Sequence, residues 1–135
     1  MYKNILIPVA PDHSTSYKQA LAMARKLVAQ DGKITALTVL EAIPDFVRSQ
    51  VPSDIYEGRA AEAEGALKAD LGDSADIEPV VVSGHSYRTI LDYAHNADVD
   101  CIIITSHKPE FSDYLIGSTA ARVVRHAKCC VVVLR

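Results

Sequence analysis

Two short polar segments of the sequence carry the residue types that bind anions. Gly117-Ser118-Thr119 combines a glycine, which lets a ligand approach the backbone closely, with two hydroxyl groups. Upstream, Ser106-His107-Lys108 supplies a hydroxyl, an imidazole and an ammonium group. Because backbone N–H groups at a helix N-terminus attract phosphate, the two segments predict an anion site. A plain helix cap is the alternative for the first segment, and a solvated loop is the alternative for the second.

The sequence contains few residues or motifs that would support catalysis or bind a metal. It contains no Walker A segment, no dinucleotide glycine fingerprint and no zinc-type spacing of cysteine and histidine. Ser106 and His107 are neighbours, which makes them poor candidates for a nucleophile and its base, and no third group orients the histidine. We therefore predict no catalytic residue and no dedicated metal site.

Short apolar runs alternate with helical patterns along the chain. The runs that predict strands are continuous, which is typical of a parallel sheet covered on both faces. Gly32 and Gly72 follow two of the predicted helices. Residues 41–54 are predicted to be irregular, with Pro44 and Pro52 as breakers. The predicted strands are residues 2–9, 34–40, 77–83, 101–105 and 130–134, and the predicted helices are residues 14–30, 55–71, 86–97 and 118–126.

This order of elements predicts an α/β fold with a doubly wound, five-stranded parallel sheet and helices on both faces. Right-handed crossovers favour the strand order 3-2-1-4-5. The chain then reverses its winding between the first and fourth strands, and a crevice opens at their carboxyl ends. The loops after Val9 and Thr105 face each other across it, so topology alone brings the candidate anion site to the crevice. Residues 1–135 are expected to form a single domain.

Charge and composition limit the partners of the chain. The net charge of −3 gives no general attraction to nucleic acid or to an anionic membrane. No apolar run approaches the roughly 20 residues that span a bilayer. The sequence starts directly with a strand-like run, so no signal peptide is expected. Its three cysteines lack a framework spacing, which favours reduced thiols and a cytoplasmic location.

The last predicted strand has a consequence for assembly. In the predicted order it lies at the edge of the sheet, where an exposed apolar strand promotes aggregation unless something covers it. The simplest cover is the same strand of a second copy, related by a two-fold axis. A loop of the same chain is the alternative. The residues of the predicted dimer interface are Val131, Val132, Val133 and Leu134.

Several segments resemble the universal stress protein family, and together they cover the chain. Ser106-His107-Lys108-Pro109 is similar to the short, single-domain subgroup of enterobacterial type, which is associated with ATP binding. The resemblance implies a fold like that of the adenine nucleotide alpha hydrolases. The other segments that carry it are Ile5-Leu6-Ile7-Pro8-Val9, Ala36-Leu37-Thr38-Val39, Gly84, Ile102-Ile103-Ile104, Tyr114-Leu115-Ile116-Gly117-Ser118-Thr119, Val123-Val124-Arg125-His126-Ala127 and Val131-Val132-Val133.

The resemblance also implies a ligand and its contacts. The ligand would be an adenine nucleotide, ATP, with or without Mg²⁺. The family's motif for ATP binding is G-x2-G-x9-G-[ST], of which this chain keeps Gly117-Ser118, whereas Thr105 and Lys108 replace the first two glycines. Ala10 stands where many members have an aspartate. The implied contacts are Pro8, Val9, Ala10 and Val39 for adenine and ribose, Ile104 and Thr105 for the floor, and Gly117, Ser118 and Thr119, lined by Ser106, His107 and Lys108, for the phosphates.

The implied function is a nucleotide-binding regulatory or stress-response protein with little or no catalysis, at most a slow ATPase. Phosphoryl transfer needs a positioned nucleophile and charge stabilisation, and the sequence offers one lysine without an evident base. The alternative is a stress protein that forms a homodimer through its last strand and binds partners without nucleotide. A redox sensor built on Cys129-Cys130 is a third, less favoured interpretation, because these thiols are expected at the start of a buried strand.

Overall fold

The computed structural model describes residues 1–11, 17–106 and 117–135. Five parallel strands form one sheet of order β3-β2-β1-β4-β5, which confirms the predicted topology. The strands are β1 (Tyr2–Pro8), β2 (Val28–Glu41), β3 (Ile77–Gly84), β4 (Cys101–Thr105) and β5 (Cys130–Leu134). The helices are α1 (Lys18–Leu27), α2 (Asp45–Arg48), α3 (Ser53–Leu71), α4 (Ser86–Asn96) and α5 (Ser118–His126).

Two apolar clusters hold the helices on the two faces of the sheet. On one face, Leu67 of α3 and side chains of α1 pack with Ile5 of β1. On the other face, Val123 of α5 and side chains of α4 pack with Leu6 of β1. Neighbouring residues of β1 join opposite clusters because successive side chains of a strand point to opposite faces. Both faces are covered, which explains the continuous apolar runs in the sequence.

The first helix ends earlier than predicted. The predicted start at residue 14 lies outside the described residues, and the helix stops at Leu27 instead of residue 30. Val28 begins β2, where it pairs with Tyr2. Gly32 ends no helix: a Cβ there would lie 3.0 Å from the carbonyl oxygens of both Tyr2 and Lys3, so the glycine lets β2 approach β1 closely. The predicted boundary was wrong because pairing with β1, which periodicity does not report, decides where the helix ends.

The segment 41–54 is more regular than predicted. It contains α2 and the first residues of α3. Pro44 and Pro52 directly precede these two helices, with φ angles of −56° and −58°. Since this restricted φ suits the start of a helix, the prolines predicted as breakers introduce helices instead. Across the described ranges, no helix combines the length and the apolar character needed to cross a membrane.

β5 lies at the edge of the sheet, as predicted, with β4 as its neighbour. Its valine and leucine side chains are half-buried, because Val132 and Leu134 pack against one apolar cluster while Val131 and Val133 pack against the other. The helices of the same chain therefore cover much of its apolar side-chain surface. The part of β5 open to a partner is its backbone edge.

Candidate functional site

A pocket of about 460 Å³ lies at the carboxyl ends of β1, β2 and β4. β1 is flanked by β2 on one side and by β4 on the other, so the pocket sits where the winding of the chain reverses. Its volume is within the range of small-molecule sites. Most of the residues selected from the sequence line it, and these are Pro8, Val9, Ala10, Val39, Ile104, Thr105, Gly117, Ser118 and Thr119.

Three residues of the predicted site are not placed in this lining. Ser106 is buried, with 8% of its surface exposed, and its backbone N–H donates a 2.7 Å hydrogen bond to the carbonyl of Leu134. That amide therefore ties the end of β4 to β5 and is not available to a phosphate. His107 and Lys108 lie outside the described residues.

The pocket also contains residues that the sequence analysis did not select. Ser86 is the first residue of α4, and it follows Gly84 at another turn from a strand into a helix. This turn could have been found from the sequence, because the carboxyl ends of parallel strands meet at one edge of a sheet. The remaining residues carry no chemical pattern that would have singled them out, and they are Pro11, Tyr17, Leu37, Ile90 and Ala120.

Two helix N-termini meet at the pocket. In α5 the amide of Ala121 donates a 2.8 Å hydrogen bond to the carbonyl of Gly117, which leaves the amides of the first turn without an acceptor inside the helix. Neither α4 nor α5 has a side-chain cap among the described residues. Ser86 Oγ and Thr119 Oγ1 are 3.4 Å apart, so the two first turns adjoin each other. The positive ends of two helix dipoles and two hydroxyl groups therefore converge on one wall.

Gly84 determines how α4 enters the pocket. Its φ of +155° is one that side-chain-bearing residues rarely adopt, and a Cβ would lie 2.2 Å from Thr89 Oγ1. The amide of Thr89 in turn donates to the carbonyl of His85 and closes the first turn of the helix. A glycine is needed here because the chain must turn sharply over Thr89 to bring Ser86 to the pocket.

The opposite wall of the pocket is apolar, and Ile104 continues this surface into the floor beside Thr105. Leu37 and Ile104 are 1% and 4% exposed, and Val39 and Pro8 extend the same surface. Burial raises the pKa of the Tyr17 hydroxyl, so this side chain is neutral as well. No charged side chain belongs to the part of the lining that the structure describes. The pocket thus combines an apolar surface, which suits a flat ring, with amides and hydroxyls beside it, which suit an anion.

No cluster of three or more metal-ligating side chains occurs within residues 1–11, 17–106 and 117–135. For negative charge, the described part of the pocket relies on helix amides and hydroxyls. Groups of this kind are able to bind an anion without a charged side chain.

Comparison with known proteins decides the family. The model of the universal stress protein family matches residues 1–135. The chain belongs to this family. It is 31% identical to universal stress protein G of Salmonella typhimurium over 142 residues, an alignment that covers 100% of both chains. The resemblance noted in the sequence is thereby confirmed.

Solved structures of universal stress proteins share the fold. That of UspA from Lactobacillus plantarum is 26% identical, with a TM-score of 0.73, and the match covers 99% of this chain and 98% of the other. A family protein from Arabidopsis thaliana with AMP bound is 18% identical, with a TM-score of 0.61, and 98% and 90% of the chains are covered. A universal stress protein in complex with cAMP is 22% identical, with a TM-score of 0.60, and 99% and 97% are covered.

Proposed function

We propose that this universal stress protein binds ATP in the pocket at the carboxyl ends of β1, β2 and β4, and that it acts as a cytoplasmic, nucleotide-responsive regulatory protein. The observation that carries the proposal is the convergence of two helix N-termini beside an apolar wall. The structures of two family members with AMP and with cAMP support an adenine nucleotide as the class of ligand.

In this proposal the adenine and ribose occupy the apolar side of the pocket. Val39 and Leu37 face the ring, and the turn Pro8-Val9-Ala10 borders the sugar. Burying an aromatic ring against such side chains gains free energy from the hydrophobic effect, at about 25 cal/mol per Å² of apolar surface. Ile104 and Thr105, at the end of β4, form the floor beneath the ligand.

The phosphates face the N-terminus of α5. The amides of Ser118 and Thr119 would donate to phosphate oxygens, and their hydroxyls add further donors. Gly117 leaves room for this approach because it has no side chain. His107 and Lys108 are proposed to complete the phosphate site from the segment that joins β4 to α5, and Mg²⁺ would enter with the triphosphate as its counterion.

The proposal includes binding without appreciable hydrolysis, because the sequence has little of what phosphoryl transfer requires. ATP hydrolysis requires a positioned water and a group that stabilises charge on the transferred phosphoryl. For these tasks the sequence offers Lys108 as a charge but no evident base beside it. ATP would therefore act as a bound ligand that is cleaved slowly at most. A partner would recognise the conformation of the ATP-bound protein.

Released nucleotide and titration test the proposal. The purified protein is denatured and the supernatant chromatographed, and the nucleotide-free protein is titrated with ATP by calorimetry. We expect an adenine nucleotide in the supernatant, or saturable binding with one site per chain. Absence of both would refute the ATP proposal and leave the alternative of a protein-interaction module.

A substitution at Gly117 locates the phosphate site. The φ of Gly117 is −54°, which a side chain tolerates, so Gly117→Val should fold while placing three carbons at the N-terminus of α5. Loss of one hydrogen bond to a charged group costs about 1.5–3 kcal/mol, so affinity for ATP should fall roughly 10- to 150-fold. Gly65→Val is the matched control, since a Cβ there meets no atom within 4 Å. Equal affinities of the two variants would show that Gly117-Ser118-Thr119 is only a helix cap.

The proposal includes a homodimer formed through the backbone edge of β5. The carbonyl of Leu134 accepts from Ser106 and so points toward β4. Because backbone groups alternate in direction along a strand, the N–H and C=O of Val133 point to the open side of the sheet. A second copy of β5 would satisfy these groups across a two-fold axis.

Light scattering of three proteins tests the dimer. We expect the wild-type protein and Val133→Thr to have the mass of two chains. Val133→Pro should have the mass of one chain, because proline removes the outward N–H while leaving the bonds to β4 in place. A monomeric wild-type protein, or a Val133→Pro variant that stays dimeric, would contradict an interface at β5.

A further inference from the structure

Two cysteines face each other at the end of the sheet remote from the pocket. Cys101 is the first residue of β4 and Cys130 is the first residue of β5, and the two are register partners in neighbouring parallel strands. The pocket lies at the carboxyl ends of the strands, so these thiols take no part in the proposed nucleotide site. Two thiols at paired positions of neighbouring strands are candidates for a disulfide.

The backbone brings the two side chains to the same face. Cys101 belongs to the apolar cluster against which Val132 of β5 packs, and Cys130 stands two residues before Val132. Since side chains alternate along a strand, Cys130 points to the face that Cys101 occupies. Adjacent strands lie about 4.7–4.9 Å apart, within the range of about 4.4–6.8 Å between Cα atoms that a disulfide spans. Burial raises the pKa of the Cys101 thiol, and the neighbouring Cys130 raises it further.

The two thiols differ in access to solvent. Cys130 is exposed, whereas Cys101 is 0% exposed. The hydroxyl of Tyr2 donates a 3.1 Å hydrogen bond to Cys130 Sγ, and this contact raises the pKa of Tyr2 to about 12. The hydroxyl therefore stays protonated and can donate to a thiolate. Cys130 is the thiol that a reagent in solution reaches first, and Cys101 is positioned behind it.

Cys129 is the other possible partner for either thiol, and its position disfavours it. It packs against the apolar cluster on the opposite face of the sheet from Cys101. A bridge from Cys129 to Cys101 would have to cross the sheet. A bridge between the adjacent Cys129 and Cys130 would join side chains that point to opposite faces. The geometry thus selects one pair among three thiols.

We propose that Cys101 and Cys130 form a peroxide-reactive pair that closes to an intramolecular disulfide under oxidation. The Cys130 thiolate attacks one oxygen of a hydroperoxide, the O–O bond breaks, and the leaving oxygen departs as water or an alcohol after taking up a proton. Cys130 becomes a sulfenic acid. The sulfur of Cys101 then attacks the sulfur of Cys130, the S–O bond breaks, and hydroxide leaves as water with the proton of Cys101. The two thiols are oxidised and the peroxide is reduced.

The bridge would join the edge strand to its neighbour. β5 is linked to the sheet through β4, and the disulfide would tie the first residues of the two strands together. In a reducing compartment such a bond is transient and serves as a redox signal. The inference does not depend on nucleotide binding, and the redox partner is a small hydroperoxide.

Peptide mapping after treatment with hydrogen peroxide tests the pair. Cys129 and Cys130 share one tryptic peptide, so the Cys129→Ser variant is used to locate the bond. We expect this variant to lose both remaining thiols and to yield a cross-linked peptide joining Cys101 and Cys130 within one chain. Cys130→Ser, at an exposed position, is the matched control and should keep both of its thiols under the same treatment.

Three results would overturn the proposal. The first is a Cys129→Ser protein that keeps its thiols or accumulates a sulfinic acid at Cys130 without a cross-link. The second is a disulfide between two chains, seen as a dimer on a non-reducing gel. The third is a Cys130→Ser protein that forms a cross-link between Cys101 and Cys129 as readily as the wild type forms its own.

Discussion

The long helix α3 depends on few side chains for its attachment to the sheet. Of its residues, Leu67 and Leu71 are buried, and Leu67 is 0% exposed within the cluster that covers β1 and β2. Most of the remaining helix, which is rich in alanine, faces solvent. Shortening Leu67 should therefore remove a large share of the apolar contact that holds α3.

The expected loss can be worked out from this burial. Replacing a fully buried leucine by alanine costs about 3 kcal/mol, since it loses the transfer free energy of the side chain and leaves a cavity. For a chain of 135 residues, the entropy of unfolding is about 0.28 kcal/mol/K at about 2.1 cal/mol/K per residue. The melting temperature of Leu67→Ala should thus fall by about 10 °C.

Thermal melts followed by circular dichroism, with urea unfolding in parallel, measure this loss at one protein concentration. Ile55→Ala is the matched control, because Ile55 lies in the same helix and is 57% exposed. Its stability should change by no more than about 0.5 kcal/mol. A shift below about 3 °C for Leu67→Ala, or equal shifts for the two variants, would show that α3 is not held as described.

Three further outcomes are expected. Gly84→Ala should lower the free energy of unfolding, measured in urea, by about 1–3 kcal/mol, because the new side chain strains the backbone and clashes with Thr89 Oγ1. Adding Thr89→Ala should recover part of this loss. An unchanged urea midpoint for Gly84→Ala would exclude the strain. The hydrogen bond from Arg25 holds the pKa of Asp76 below its ordinary 3.8, so the pair stabilises the fold above that value and stops doing so as the pH falls through the depressed pKa. At neutral pH the melting temperature of Asp76→Asn should therefore be lower than that of the wild type, and in strong acid the two should be equal. A difference in melting temperature that persists in acid would refute this linkage. Burial raises the pKa of Cys101 to about 12, so iodoacetamide at mildly alkaline pH should label it only after unfolding; rapid labelling of the folded protein would show that Cys101 is accessible.

Much of the fold could be predicted because each strand is recognisable from its own short stretch of sequence. A continuous run such as Ile102-Ile103-Ile104 places apolar side chains on both faces of the sheet. Such runs occur when both faces of a parallel sheet are covered. Helix ends were harder to predict. Val28 fits the end of a helix and the start of a strand equally well, and only its pairing with Tyr2 makes it a strand residue. Boundaries depend on contacts between distant segments, which local patterns do not contain.

Part of the candidate site could likewise be identified from the sequence, and part only from the structure. Gly117-Ser118-Thr119 was identifiable because a glycine and two hydroxyl groups at the start of a helix are typical of an anion site. Ser86 is an ordinary serine in the sequence, and it gains a role because the turn at Gly84 brings it within 3.4 Å of Thr119. Leu37 is one of many buried leucines until β2 places it on the pocket wall.

By itself, then, the sequence determined the class of fold, the order of its strands and the segment that is suited to hold an anion, because these follow from periodicity, handedness and local chemistry. The tertiary structure decided which apolar side chains form the opposite wall, that a second helix start joins the first, and that Cys101 faces Cys130 and not Cys129. The reason is physical. A pocket and a thiol pair are made by residues far apart in the chain, and only the packing of the strands and helices sets the distances between them.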